Sequence, residues 1–326
     1  MRLLETETKD DYTFRKFDDH DVPPYAILSH TWEEDQEVTF DDIIEDKKRR
    51  SRKARACLHR LHLCPLKKGY DKLRFCARQA ARDGLRYFWV DTCCINKTDE
   101  TETQESINAM FRWYQNAAKC YVYLSDVSSG SQRRNARPSA WIPAFVKSRW
   151  FTRGWTLQEL LAPSQVEFFS KEGVYLGSRL DLKQHIYDIT NIPPTALSGA
   201  PLADFSVDER LSWAVGRQTT KKEDEVYCLL GMFGIDLPFQ YGEQYEGALR
   251  RLLKAIDRSQ ATSIGEAKRM LKSTLPFSRD KDFVNRNSLS VVNRILAQPA
   301  ARAALVGLGG VGRVLQCSTA GPTLTA

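Results

Sequence analysis

The sequence has no apolar run of the roughly 18 residues a membrane-spanning helix needs, which argues against an integral membrane protein. Its first residues, Met1-Arg2-Leu3-Leu4-Glu5-Thr6-Glu7, lack the apolar core of a secretory signal, so a cytoplasmic address is expected. No C-x-x-C pair occurs among the 8 cysteines of 326 residues, too few for a disulfide scaffold. Most of these cysteines sit in apolar stretches and read as buried, reduced thiols. Internal repeats are absent, which excludes solenoids and propellers. Hydrophobic residues make up 42% and charged residues 27%, the balance of an ordinary globular protein rather than a disordered one.

The formal charge of +7 is uneven. Lys47-Lys48-Arg49-Arg50-Ser51-Arg52-Lys53-Ala54-Arg55 places 7 cations in 9 residues, a run suited to a nuclear signal or to nucleic acid. No aromatics interleave with it as single-strand binding requires, so a solvated loop over 46–70 is the preferred reading and nucleic acid ranks last among partners. Cys57, His59, His62 and Cys64 lie close together, but their spacing fits no known zinc pattern, and no metal is expected.

Short apolar runs set out the core. Tyr25–His30 reads as a buried strand, Arg86–Asp91 as a second and Cys120–Leu124 as a third. Between the last two, Ile107, Met110, Phe111, Tyr114 and Ala118 recur at helical spacing. Strand, helix, strand implies a βαβ unit and a parallel sheet. A helix from about Trp155 to Ala162, stopped by Pro163, leads to a fourth strand, Val166–Phe169. Residues 179–260 are mostly helical in pattern and 261–288 read as a polar linker. A helix at 289–296, a strand at 303–306 and a disordered tail are expected after it.

Three groups of residues carry chemistry. Ser29, His30 and Trp32 follow the first strand, and Asp91 and Asn96 follow the second, where ligands bind in parallel α/β sheets. Asp91 and Asn96 equally suit turn and cap hydrogen bonds. On the helix, Trp155 and Glu159 are four apart, with Arg149 and Arg153 just before them. Glu159 there reads either as a carboxylate able to stabilise positive charge on a sugar carbon or as a surface residue paired with one of those arginines. Third, Gly307-x4-Gly312-Arg313-Val314 keeps P-loop glycine spacing, but arginine replaces the lysine and valine the magnesium-binding hydroxyl, so nucleotide hydrolysis is not expected.

Tyr25–Trp32 (YAILSHTW), Tyr87–Asn96 (YFWVDTCCIN), Met110–Leu124 and Ser148–Pro163 (SRWFTRGWTLQELLAP), with Phe205–Trp213 and Glu223–Gly242, together resemble the fungal heterokaryon-incompatibility (HET) domain over residues 1–258. The 47–66 segment departs from that pattern. The resemblance implies a death-inducing module of fungal non-self recognition over residues 1–260 (core 22–170, helical part 179–260), followed at 289–326 by the start of a NACHT/NB-ARC-type nucleotide-binding domain. HET domains are in turn similar to TIR domains, which are flavodoxin-like and include enzymes that cleave NAD at the nicotinamide–ribose bond. Trp155-Thr156-Leu157-Gln158-Glu159-Leu160 resembles the W-C-L-x-E-L segment whose glutamate is catalytic in plant TIR domains, with Thr156 in place of cysteine, and Leu28-Ser29 resembles the end of their first strand.

The resemblance therefore implies a parallel TIR/flavodoxin-like sheet flanked by helices, with a helical C-terminal extension. It makes Glu159 the catalytic candidate, with Ser29, His30, Trp32, Asp91, Asn96, Arg153 and Trp155 as substrate contacts and Trp32 or Trp155 stacking on nicotinamide. NAD is then a substrate and no cofactor is required. Self-association or other death-effector proteins are the expected partners, and a non-catalytic interaction module is the alternative.

Overall fold

The computed structural model describes residues 1–8, 11–53, 67–130 and 138–274. The chain separates into two compact units, Met1–Gln260 and Ala261–Ala326. In the second, the described residues 261–274 are helical.

The first unit is built on an open seven-stranded sheet: β1 (Arg2–Thr8), β2 (Asp11–Lys16), β3 (Tyr25–His30), β4 (Tyr87–Trp89), β5 (Lys119–Leu124), β6 (Val166–Ser170) and β7 (Tyr175–Ser178), in the order β2-β1-β4-β3-β5-β6-β7. β4, β3, β5 and β6 are parallel neighbours, with β3 Ile27 beside β4 Trp89 and β5 Cys120. Counted among themselves these four run 2-1-3-4, the order of flavodoxin-like sheets. The sheet is not wholly parallel as expected: β1 and β2 extend one edge antiparallel, and β7 folds back antiparallel on β6.

The central strand explains its own composition. All six residues of β3 are buried, so it reads as a continuous apolar run rather than an alternating one. β1 hides from pattern reading because it carries Glu5 inside, neutralised from β2 by Arg15 at 2.7 Å and from the start of β4 by Arg86 at 2.5 Å.

Helices α1 (Phe40–Lys53), α2 (Gly69–Arg82), α3 (Asp91–Cys94), α4 (Glu100–Asn116), α5 (Pro138–Val146) and α6 (Thr156–Leu161) connect these strands. α1 corrects the loop expected from residue 46. Asp41 and Asp42 in its first turn favour the helix dipole, and Arg49 reaches Glu45 one turn back at 3.2 Å. Residues 47–53 of the basic run thus lie on a helix, and the Cys57/His59/His62/Cys64 cluster lies outside the described residues. The sequence periodicity did place α4. Asp99 caps it by accepting from Glu102 N at 3.0 Å, and Met110 and Tyr114 are buried.

After β7 come α7 (Lys183–Thr190), α8 (Pro194–Leu197), α9 (Val207–Ser212), α10 (Asp224–Tyr227), α11 (Leu230–Phe233) and α12 (Gln244–Thr274). α12 replaces the first part of the expected linker with helix. Its apolar positions Ala248, Leu252 and Ile256 recur at four-residue spacing and are buried. The expected helix at 289–296, the strand at 303–306 and the degenerate P-loop residues Gly307, Gly312 and Arg313 lie outside the described residues.

Aromatic rings fill the space around the parallel strands. Trp150 meets Phe151 and Phe168 edge-on at 5.1 and 5.5 Å, and Trp89 meets Tyr114 at 5.9 Å. α11 packs on α4. Gly231 permits the approach, because a Cβ there would lie 2.1 Å from Phe111 Cβ. Gly231→Ala should therefore cost about 1–3 kcal/mol through overpacking. Urea denaturation of wild type and variant measures this, and unchanged stability would contradict the packing of α11 on α4.

Candidate functional site

α6 is the element that brings the polar residues together. It is short, and all six of its residues are buried. A 3-10 turn, Arg149–Thr152, precedes it, capped by Ser148. Thr156 begins the helix by donating its hydroxyl to Trp150 O at 2.6 Å and to Arg153 O at 2.8 Å. The chain before it is fixed by backbone bonds from Gly154 N to Gln218 O at 2.9 Å and from Gln218 N to Thr152 O at 2.6 Å.

Glu159 is turned inward and is 6% exposed. The surface ion pair with Arg149 or Arg153 does not form. Instead Ser29, fully buried near the end of β3, donates its hydroxyl to Glu159 Oε2 and accepts from Trp150 Nε1 at 2.7 Å. Tyr114 lies within hydrogen-bonding reach of the same carboxyl. Its hydroxyl also lies 3.0 Å from Leu28 O. Burial pushes the Glu159 pKa up to about 8, the negative charge of Asp91 adds to the rise, and the Ser29 and Tyr114 hydroxyls and the positive charge of Arg217 oppose it.

Arg217 had no signal in the sequence, being far from Glu159 along the chain. It is buried and donates to Trp213 O at 3.2 Å, to Arg153 O at 2.9 Å and to Thr156 Oγ1 at 3.1 Å. Its Nη2 has no partner, and burial lowers its pKa to about 10. Trp150 and Tyr114 stood inside recognised segments without being singled out, because spacing alone does not show which way a ring turns.

His30, Trp32 and Asp91 form a second group at the ends of β3 and β4. Trp32 donates its indole N–H to Asp91 at 2.9 Å, is half exposed, and carries Lys97 Nζ 3.6 Å from its ring centre. His30 is buried, 3.3 Å from Glu37 and 4.0 Å from Asp91. Glu37 also pairs with buried Lys72, which donates to Thr31 O at 3.0 Å. Burial raises the Glu37 pKa, but the hydrogen bonds and charges of His30 and Lys72 outweigh it and hold the carboxyl at about 2.

The remaining expected contacts lie elsewhere. Asn96 accepts from Thr98 N at 3.2 Å and from Thr98 Oγ1 at 2.7 Å, closing a turn, and Trp155 hydrogen-bonds Asp224. Arg153 enters through its backbone, pairing with Gln218 and accepting from Arg217. No group of three or more metal-binding side chains occurs among the described residues, and none of their helices is long and apolar enough to cross a membrane.

Comparison with known proteins places this geometry in context. Residues 25–139 match the family described as Heterokaryon incompatibility protein (HET). The chain is also 50% identical over 260 residues to Vegetative incompatibility protein HET-E-1 of Podospora anserina, an alignment that spans 79% of this chain and 18% of that protein. No solved structure matches the chain.

The pKa of Glu159 sets a sign for stability against pH. The folded protein holds this proton up to about pH 8, whereas a free glutamate loses it near 4.5. The stabilisation is full below pH 4.5 and is lost as pH rises to about 8. The stability of wild type relative to Glu159→Gln should fall across that window by at most about 1.4 kcal/mol per pH unit. Urea denaturation of both proteins at several pH values tests it, and parallel curves would show that the carboxyl ionises freely in the fold.

Proposed function

We propose, on the premise that residues 25–139 carry the heterokaryon-incompatibility (HET) signature, that this chain is the effector part of a vegetative-incompatibility protein, acting by hydrolysis of NAD at Glu159. The relative named for vegetative incompatibility supports the biological role. The observation that carries the chemistry is the Ser29–Glu159 hydrogen bond, which holds a carboxyl of raised pKa at the end of the central parallel strand. Strongly perturbed groups at strand ends are candidates for acid–base chemistry.

In this reading the C1′–N bond breaks with its electron pair leaving on nicotinamide, which becomes neutral. Glu159, ionised as the cationic substrate enters, stabilises the oxocarbenium-like ribose. Water then adds to C1′ and gives its proton to the carboxylate, yielding ADP-ribose. Trp32, exposed beside Asp91, offers a face for the nicotinamide ring. Raised Glu159 basicity suits a group that must collect that proton near neutral pH.

A second reading, a non-catalytic interaction module of the same death pathway, is favoured by one observation. Glu159 is sealed, and it does not line either of two cavities among the described residues, of about 830 and 750 Å³. Catalysis therefore requires the site to open, and self-association of the chain is the event we assign to that opening.

Nicotinamide release by the concentrated full-length chain decides between the two. We expect release from wild type, loss of about 100-fold or more in Glu159→Gln, as removal of a key electrostatic group gives elsewhere, and unchanged release in Asn96→Ala. A folded wild type that releases nothing at any concentration, or a Glu159→Gln protein as active as wild type, leaves the interaction module.

A further inference from the structure

At its C-terminal end α6 meets a second buried cation. Arg179 is 4% exposed. Its guanidinium donates to Leu160 O at 2.6 Å and to Ser164 O at 3.4 Å. Those two bonds use two of its five N–H donors, and Nε has no partner. No carboxylate among the described residues lies within ion-pairing distance of it. The carbonyls at the end of α6 offset part of the charge. They do not remove it, and a buried cation without a counter-charge is costly. Burial accordingly lowers the Arg179 pKa.

Arg179 lines the cavity of about 830 Å³, a volume typical of small-molecule sites. Phe111 of α4, Leu202 and Met232 supply apolar wall, and Arg112 adds a second cation. Arg112 is itself held by Asp19 at 3.3 Å, and Asp236 is the one carboxylate among the lining residues. Asn108 of α4 also lines the cavity. Its Nδ2 donates to Leu237 O at 3.4 Å, while its Oδ1 is buried without a partner. The cavity therefore combines an uncompensated guanidinium, an acceptor lacking a donor, and an aromatic and aliphatic wall.

The structure assigns to this cavity a ligand site for a nucleoside monophosphate. The phosphate supplies the negative charge that Arg179 lacks. The base lies against Phe111, and an N–H of its ring system or exocyclic amine donates to Asn108 Oδ1. The inference does not rest on NAD hydrolysis: the cavity lies at the opposite end of α6 from Arg217 and is not lined by Glu159. It does give a ligand a mechanical route to α6, because the guanidinium it recruits also holds the Leu160 carbonyl.

Isothermal titration of the full-length chain with AMP, adenosine and inorganic phosphate tests the assignment. We expect AMP to bind, with adenosine and phosphate each at least tenfold weaker. Arg179→Gln should weaken AMP by about 10- to 100-fold, the loss of one charge-assisted contact, and Arg179→Lys by less. Ala203→Trp, which fills the cavity while leaving Arg179 in place, should abolish binding even if Arg179→Gln fails to fold. Absence of AMP binding by wild type, equal AMP affinity in Ala203→Trp, or adenosine binding as tightly as AMP would each overturn the site.

Discussion

One hydroxyl joins the parts of this fold that matter. Ser29 stands on the central strand, accepts a hydrogen bond from Trp150 and donates one to Glu159. Strand β3, the 3-10 turn and helix α6 are thereby locked around a carboxyl that has left water. Because a buried charge costs far more than a buried neutral acid, burial raises the Glu159 pKa, while the Ser29 and Tyr114 hydroxyls and the charge of Arg217 oppose that rise. The aromatic rings around Trp150 exclude solvent from the network, and that exclusion is what raises the pKa.

α6 is also held at both ends by arginines that lack carboxylate partners. Arg217 grips its N-terminal end through Arg153 O and Thr156, and Arg179 grips its C-terminal end through Leu160 O. Both come from residues after β6, beyond the matched segment 25–139. The later chain therefore frames Glu159: it supplies the positive charge of Arg217 that acts on the carboxyl and most of the wall of the neighbouring cavity.

His30, Glu37 and Lys72 show the opposite treatment of buried charge. There a cation and an anion meet directly, and the Glu37 carboxyl is held far below its usual range. Two acidic groups near neighbouring strand ends are thus driven in opposite directions, one neutral and one ionised. Such division of roles is set by environment rather than by residue type.

Local composition alone determined the parallel core. Tyr25–His30, Tyr87–Trp89, Lys119–Leu124 and Val166–Ser170 are apolar runs because both faces of a central strand are buried, and the periodicity of α4 is the mark of a helix with one face on the core. The segment around Glu159 was legible in the same way, through a spacing that resembles a known motif. The antiparallel edges were not. β1 and β2 are joined by a backbone ladder that buries Leu3, Leu4 and Tyr12, and the cross-strand pairing of Glu5 with Arg15 is displayed by no one-dimensional pattern. Nor could spacing show that Glu159 faces Ser29 and Tyr114 instead of solvent, that Trp155 turns to Asp224, or that Arg217 and Arg179 converge on α6. Helical periodicity fixes which residues share a face. Only the packing of that face against distant strands fixes which atoms it meets, how much water remains, and so whether a carboxyl is charged.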